Sequence, residues 1–202
     1  MSSQIVIAFL LFAVSMSLTP GAGNLALLGI SNRYGFSAAL PFVAGTSLGV
    51  LVVFGGTSAG LISVLTTYPE LYSTLKYLGA AYLMYIAWGI SSLQVNDEQD
   101  TDYSSGFLSG ALVQVLNPKA WIAAMTVFSQ FTTISGNHAY TTQVIIITVA
   151  FLLIMTLCTL IWAYFGSVLK GLIQSQRQMN ILNRCLGATL AISVIFMFSQ
   201  PI

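Results

Sequence analysis

Six apolar runs, each long enough to cross a bilayer, dominate this chain. A spanning helix needs about 20 mostly apolar residues. The segments that qualify are Ile5–Ile30, Ala38–Leu65, Leu71–Leu93, Phe107–Phe131, Gln143–Leu169 and Leu182–Phe198. The connections hold most of the charge: Arg33 in the first, Glu70 in the second, Asp97, Glu98, Asp100 and Asp102 in the third, His138 in the fourth, and Lys170 and Arg177 in the fifth. Only 5% of the 202 residues are charged, and mean hydropathy is +0.87. Soluble domains carry roughly 25% charged residues, so six basic and five acidic side chains cannot cover a soluble surface. The expected fold class is therefore all-α integral membrane, one transmembrane domain over 1–202 with no room for a soluble one.

The same numbers exclude other classes. A net charge of +1 gives no case for nucleic acid, which needs clustered Lys and Arg. Cys158 and Cys185 lie inside apolar runs and read as two buried thiols. No Cys/His cluster suggests a metal, and no cofactor is expected. Met1 to Leu18 lacks the basic n-region and the A-x-A site of a secretory signal, and is read as the first span, retained. Orientation follows Lys and Arg in short loops. Arg33, Lys170, Arg177 and Arg184 share one side and Lys76 holds the other, which puts both termini outside, in the periplasm. Tyr68, Tyr72, Tyr77, Trp88, Tyr140, Trp162 and Tyr164 cluster near span ends and read as interfacial anchors.

A weak internal repeat organises the spans. Leu18-Thr19-Pro20-Gly21-Ala22 in the first has its counterpart in Leu116-Asn117-Pro118-Lys119-Ala120 in the fourth. The prolines are 98 residues apart (118 minus 20). Lys76-Tyr77-Leu78-Gly79-Ala80 in the third is matched by Arg184-Cys185-Leu186-Gly187-Ala188 in the sixth. Repeat one covers about 1–94, an acidic loop 95–105, and repeat two about 106–202. Three spans per repeat force the second copy to insert upside down. Inverted repeats with helices broken in equivalent places are a transporter signature and point to the binding site.

Proline removes a backbone donor and clashes with the preceding turn, and Gly21 and Gly23 loosen the next turn. The restarted helix presents free N–H groups and a positive dipole end at membrane depth. Such an end can hold a carboxylate, and the freed carbonyls across the break can hold an ammonium. The expected substrate-binding residues are Thr19, Pro20, Gly21, Gly23, Asn24, Gln114, Asn117, Pro118 and Lys119. Plain proline kinks are the competing reading. Lys119 is ionisable within a span and is a functional residue by default; the alternative is that it snorkels to an interface. Arg33 reads equally as a gating residue and as a topology charge.

Two patterns mislead. Gly45-Thr46-Ser47-Leu48-Gly49 and Gly56-Thr57-Ser58-Ala59-Gly60 fit a nucleophile elbow, but that motif needs a strand before it and a His and an acid after. At 100° per residue the four glycines fall within about 60° of one another, a small-residue face for close helix packing. Gly106 and Gly110 repeat the pattern. The acidic run Asp97–Asp102 reads as a solvated loop rather than a metal site.

Together these residues resemble the lysine-exporter/RhtB-type (LysE superfamily) amino-acid efflux proteins over nearly the whole chain. Leu18-Thr19-Pro20-Gly21 leading to Asn24 looks like that family's T-P-G-P motif, with Ala22 in place of the second proline. Gly35 and Gly45 keep its glycine spacing. Tyr77-Leu78-Gly79-Ala80-Ala81-Tyr82-Leu83 with Trp88 is similar to its third span, and Phe107, Gly110 and Asn117-Pro118-Lys119 to its fourth. Arg177-Gln178-Met179-Asn180 looks most like the cysteine/O-acetylserine exporter branch. The resemblance implies six spans in a bacterial inner membrane and export of amino acids or close metabolites, driven by an ion gradient with H+ the expected ion. A homo-oligomer is compatible with it.

Substrate charge is readable from the spans themselves. Every Asp and Glu lies in a connection, and the one clear intramembrane charge, Lys119, is positive. A second buried cation without a counter-charge costs several kcal/mol. The spans offer Ser15, Ser17, Thr19, Asn24, Ser109, Gln114 and Asn117, which suit a small neutral polar amino acid. Two other classes compete: an intramembrane hydrolase using Ser47 or Ser58, which lacks a His within a span, and a non-transporting scaffold or assembly factor, which leaves paired helix breaks unexplained.

Overall fold

The computed structural model describes residues 3–60, 67, 69–92, 106–132, 137–172 and 175–199. Among them are eight α-helices and no strand: α1 (Ser3–Leu18), α2 (Ala22–Tyr34), α3 (Phe36–Ser58), α4 (Pro69–Ser92), α5 (Phe107–Val115), α6 (Pro118–Phe131), α7 (Asn137–Leu172) and α8 (Gln176–Ser199). The acidic connection with Asp97, Glu98, Asp100 and Asp102 lies outside the described residues, as do Leu65, Tyr68 and Leu93.

Both expected breaks are present. The α1–α2 axis bends by 54° and the α5–α6 axis by 63°. α3 and the 140–169 stretch of α7 are each long and apolar enough to cross a membrane, and each bent pair qualifies when taken as one span. By length and apolarity, then, two to four spans stand among the described residues. α4 and α8, 24 residues each and so about 36 Å long, occupy the places of the expected third and sixth runs.

Helix ends and apolar runs do not coincide, because a helix continues past the hydrocarbon while an apolar window stops at it. α7 starts at Asn137, not Gln143, so His138 sits in its first turn rather than in a connection. Its 36 residues span about 54 Å, well beyond a hydrocarbon core of about 30 Å. Arg33, Glu70, Lys170 and Arg177 likewise fall in terminal turns of α2, α4, α7 and α8. Arg33 and Glu70 sit where the helix dipole favours their charges.

Glycine sets the closest crossings. A methyl at Gly45 would run into the Phe107 carbonyl, one at Gly110 into the Phe42 carbonyl, and one at Gly49 would lie 2.7 Å from the Ala111 oxygen. Gly45 meets Phe107 and Ala111 while Gly49 meets Ala111 and Gln114, so α3 and α5 run parallel. Gly166 of α7 fits against Leu28 and Ser31 of α2, and Gly187 of α8 against Ala87 and Ser91 of α4. Such contacts let backbones approach where lipid supplies no hydrophobic drive. The expected glycine face is shorter than the spacing implied: Gly60 lies past the end of α3 at φ +83° with open space around it, and Gly106 faces open space too.

Two cores result. One joins α2, α4 and α8 to the early turns of α3 through Phe42 and Val43; the other joins α1, α6 and α7 to its late turns through Val53 and Phe54. Exposed leucines and isoleucines run along the outer face of α7, including Ile146, Leu153 and Leu157, the face lipid would cover. Tyr77, Trp88 and Tyr164 are exposed, whereas Trp162 packs inward against the first core, contrary to its reading as an anchor. Both thiols are free; Cys158 is buried, but Cys185 is exposed, not buried as its apolar context suggested.

Candidate functional site

The first break is built by Pro20, which offers no N–H and steers Thr19 out of helical geometry. The last turn of α1 closes with Thr19 N donating to Ser15 O at 3.0 Å. Gly21 is extended (φ −159°, ψ 174°) and α2 begins at Ala22. In an unbroken helix the Ser17 and Thr19 carbonyls would accept from residues four further on. Here Asn24, buried in the first turn of α2, reaches back: its Nδ2 donates to Ser17 O at 2.9 Å and to Thr19 O at 3.2 Å.

The second break repeats this device with different chemistry. Asn117 caps α6, its Oδ1 accepting from Lys119 N at 3.1 Å, and Pro118 takes the first helical position, where no N–H is needed. Trp121 Nε1 reaches back to Val115 O at 2.7 Å. The two breaks touch: Lys119 Nζ donates to Thr19 O at 2.8 Å. The carbonyls freed at the first break, expected to stand ready for a substrate ammonium, are thus already engaged by Asn24 and by the protein's own ammonium.

A cavity of about 50 Å3 lies at this junction. One water needs about 10–15 Å3 on this scale, so it holds a few small groups. Of the nine expected residues, Gly21, Gly23, Asn24, Gln114, Asn117 and Lys119 line it; Thr19, Pro20 and Pro118 shape the breaks without lining it. Thr19 still contributes the carbonyl that Lys119 holds. Arg33 is at the far end of α2, its guanidinium carbon 5.0 Å from the centre of the Tyr34 ring, away from the cavity.

The rest of the lining was not singled out in sequence. Thr46 of α3 and Thr159 of α7 contribute buried hydroxyls. Their protons are spent on backbone carbonyls, Val43 O at 2.7 Å and Thr156 O at 2.9 Å, which leaves oxygen lone pairs. Val50, Phe54, Phe151 and Met155 form an apolar wall. Ser17, noted only as one hydroxyl among several, lines the cavity with its Oγ buried and unpartnered. Lys119 is the single ionisable side chain in the lining, which contains no Asp or Glu. Among the described residues no group of His, Cys, Asp and Glu could hold a metal. The serines considered as nucleophiles already hold hydrogen bonds: Ser47 Oγ lies 3.0 Å from both Val43 O and Thr156 Oγ1 of α7, and Ser58 Oγ donates to Gly55 O of its own helix at 2.9 Å.

Comparison with known proteins identifies the family. Residues 14–199 match the model of the LysE type translocators. A Salmonella typhimurium protein named cysteine/O-acetylserine efflux protein is 27% identical over 97% of this chain and 100% of its own length. An Escherichia coli protein of the same name is 25% identical over the same shares. A Bacillus subtilis protein, the uncharacterized membrane protein YrhP, is 29% identical over 79% of this chain and 80% of its own. No solved structure matches. With 186 of its residues, from 14 through 199, under one family model, this chain belongs to the LysE type translocator family of multi-pass membrane proteins.

Proposed function

We propose that this protein exports small neutral polar amino acids or their close metabolites, of the cysteine/O-acetylserine and homoserine/threonine class, from the cytoplasm across the bacterial inner membrane. One observation carries the reading: residues of both breaks, nearly 100 positions apart, line one cavity with a single cation and no acid. An amino-acid carboxylate would replace the Thr19 carbonyl as the partner of Lys119, because charge-assisted hydrogen bonds are the stronger kind. Threonine hydroxyls and the Asn117 and Gln114 amides suit a neutral polar side chain, and a second cation would find no counter-charge. The relatives named as cysteine/O-acetylserine efflux proteins support the same class.

The architecture that goes with this function is one domain of six spans in two inverted repeats, about 1–94 and 106–202, joined by the loop 95–105. In its favour, exchanging α1, α2 and α3 with α5, α6 and α7 maps the α3·α5 contact onto α7·α1, α2·α7 onto α6·α3, α2·α3 onto α6·α7, and α1·α6 onto α5·α2. The parallel course of α3 and α5 leaves α4 to make the return crossing between them. The exchange is imperfect: α2 also packs on α4 and α8, and α6 shows no packing of similar extent on them among the described residues. Both termini face the periplasm on the count of basic residues, and the gradient used is H+. No acid lines the cavity, so the proton travels with Lys119, a loop acid or the substrate.

The test is efflux from proteoliposomes preloaded with mixed amino acids, together with competition by a panel. Cysteine, serine, threonine or homoserine should leave and compete; stronger competition by lysine or arginine than by any neutral amino acid would refute the charge argument. Labelling of cysteines placed at Ser2 and Gln200 in a Cys-free background tests the orientation: access from the cytoplasm alone at both ends would reverse it, and access from opposite sides would reject six spans.

A further inference from the structure

The two half-helix starts that meet at the cavity are not equivalent as ligand sites. At α6, every early donor is accounted for: Pro118 has none, Lys119 N is held by the Asn117 side chain at 3.1 Å, and Ala120 N donates to Asn117 O at 3.0 Å. At α2, the cap is Gly21, which has no side chain to offer. The first backbone bond there is Leu25 N to Gly21 O at 2.9 Å. The N–H groups of Ala22, Gly23 and Asn24 precede it and have no acceptor within the helix.

Gly21, Gly23 and Asn24 line the cavity, and one more group faces it with nothing to bind. Ser17 is 7% exposed and its Oγ has no hydrogen-bond partner. Serines in helices ordinarily return their proton to a carbonyl one turn back, as Ser31, Ser47 and Ser91 do here. A buried hydroxyl left unpaired lowers stability, so its presence at the cavity calls for an explanation. Lys119 completes the environment: its Nζ is 3.5 Å from where a Gly21 β-carbon would be.

We infer that Ser17 and the open amino terminus of α2 form the subsite for the substrate's carboxylate, with Lys119 as its charge partner, and that the capped terminus of α6 binds no ligand. The inference rests on reading the cavity as the substrate site and adds to it a specificity-determining residue and a polarity. The carboxylate lies toward α2. The amine and side chain lie toward Thr46, Thr159 and Gln114, whose oxygens accept hydrogen bonds.

The experiment compares substrate with a mimic that lacks the carboxylate. Full-length protein in phosphatidylethanolamine/phosphatidylglycerol liposomes is assayed by counterflow of the best-carried of L-cysteine, L-serine and L-homoserine. Competition is measured by that amino acid and by its decarboxylated amine. The wild type should favour the amino acid strongly. Ser17→Ala should shrink that preference by about tenfold or more, the worth of a hydrogen bond to a charged group, while leaving melting temperature unchanged or raised. A merely structural serine would show the reverse, a lower melting temperature and an intact preference. Ala22→Pro, a substitution the first helical position accepts, deletes one donor and should shrink the preference less but in the same direction. An unchanged preference in both variants, with transport intact, overturns the subsite. Absence of counterflow in the wild type would instead sink the export reading itself, and the subsite with it.

Discussion

The two helix breaks look like copies in sequence and differ in how they are finished. Thr19-Pro20-Gly21 and Asn117-Pro118-Lys119 both stop a helix at proline, and both send a side chain back to the carbonyls of the broken end. The second break is self-contained: its cap, its proline and its indole satisfy it locally. The first depends on Lys119 of the second and keeps a bare glycine cap. The arms differ too. α5 is clamped to α3 by Gly45, Gly49 and Gly110, whereas α1 exposes Ile7, Leu11 and Val14 on its outer side. Two similar interruptions are thus finished differently: one is a fixed strut, and the other keeps a glycine cap with no side chain to close it.

The largest expected effect comes from unclamping the strut. Gly110→Val drives a branched β-carbon into the Phe42 carbonyl and should cost about 3 kcal/mol or more. The expected outcome is loss of monodisperse protein in detergent on size exclusion, and a normal profile would show that the crossing has slack. Next is Lys119→Ala, which removes the bond between breaks and the only cation of the cavity. Efflux should fall to background, at least a hundredfold by the worth of a charged partner of about 3 kcal/mol, with membrane insertion retained. Normal efflux would end the view that the breaks form one site.

Asn117→Ala should be felt in both properties: about 1 kcal/mol of stability from the lost cap, seen as a lower melting temperature, and reduced efflux. Normal efflux here and in the Lys119 variant together would leave the second break without a functional part. The smallest stability effect belongs to Gly21→Asn, which gives the first break the cap of the second. Replacing glycine by a true cap residue is worth only a few tenths of a kcal/mol, so melting temperature should hold or rise slightly. The new side chain would compete for the open N–H groups, and the substrate concentration for half-maximal efflux should rise about tenfold. Unchanged transport in this variant would place the binding end elsewhere.

Much of this was legible in the sequence where a residue breaks a rule. Prolines inside apolar runs, a lysine at membrane depth and paired glycines each violate what a lipid-embedded helix prefers, so Pro20, Pro118, Lys119, Gly45 and Gly110 could be picked out before any fold was known. The cavity wall was not legible. Val50, Phe54, Phe151 and Met155 are indistinguishable in type from neighbours that face lipid, because lipid and protein interior are equally apolar and no amphipathic period marks the inner face. Thr46 and Thr159 hide for a related reason: a hydroxyl that bonds its own helix is tolerated on any face. Which of two matching breaks stays uncapped depends on where the helix restarts relative to its proline, with Asn117 before Pro118 as one cap and Gly21 after Pro20 as the other, and the spacing of the prolines alone carries no trace of it.

The close glycine crossings described above, at Gly45, Gly49, Gly110, Gly166 and Gly187, each join a helix of the first half to a helix of the second. This has a consequence for the order in which the molecule is made. When the first half leaves the ribosome it carries grooves of bare backbone whose partners have not yet been synthesised, and lipid chains must fill them in the meantime. The two halves of the sequence are therefore not separate units of packing. Packing around α4 waits for α8 to emerge and close over Ala87 and Ser91.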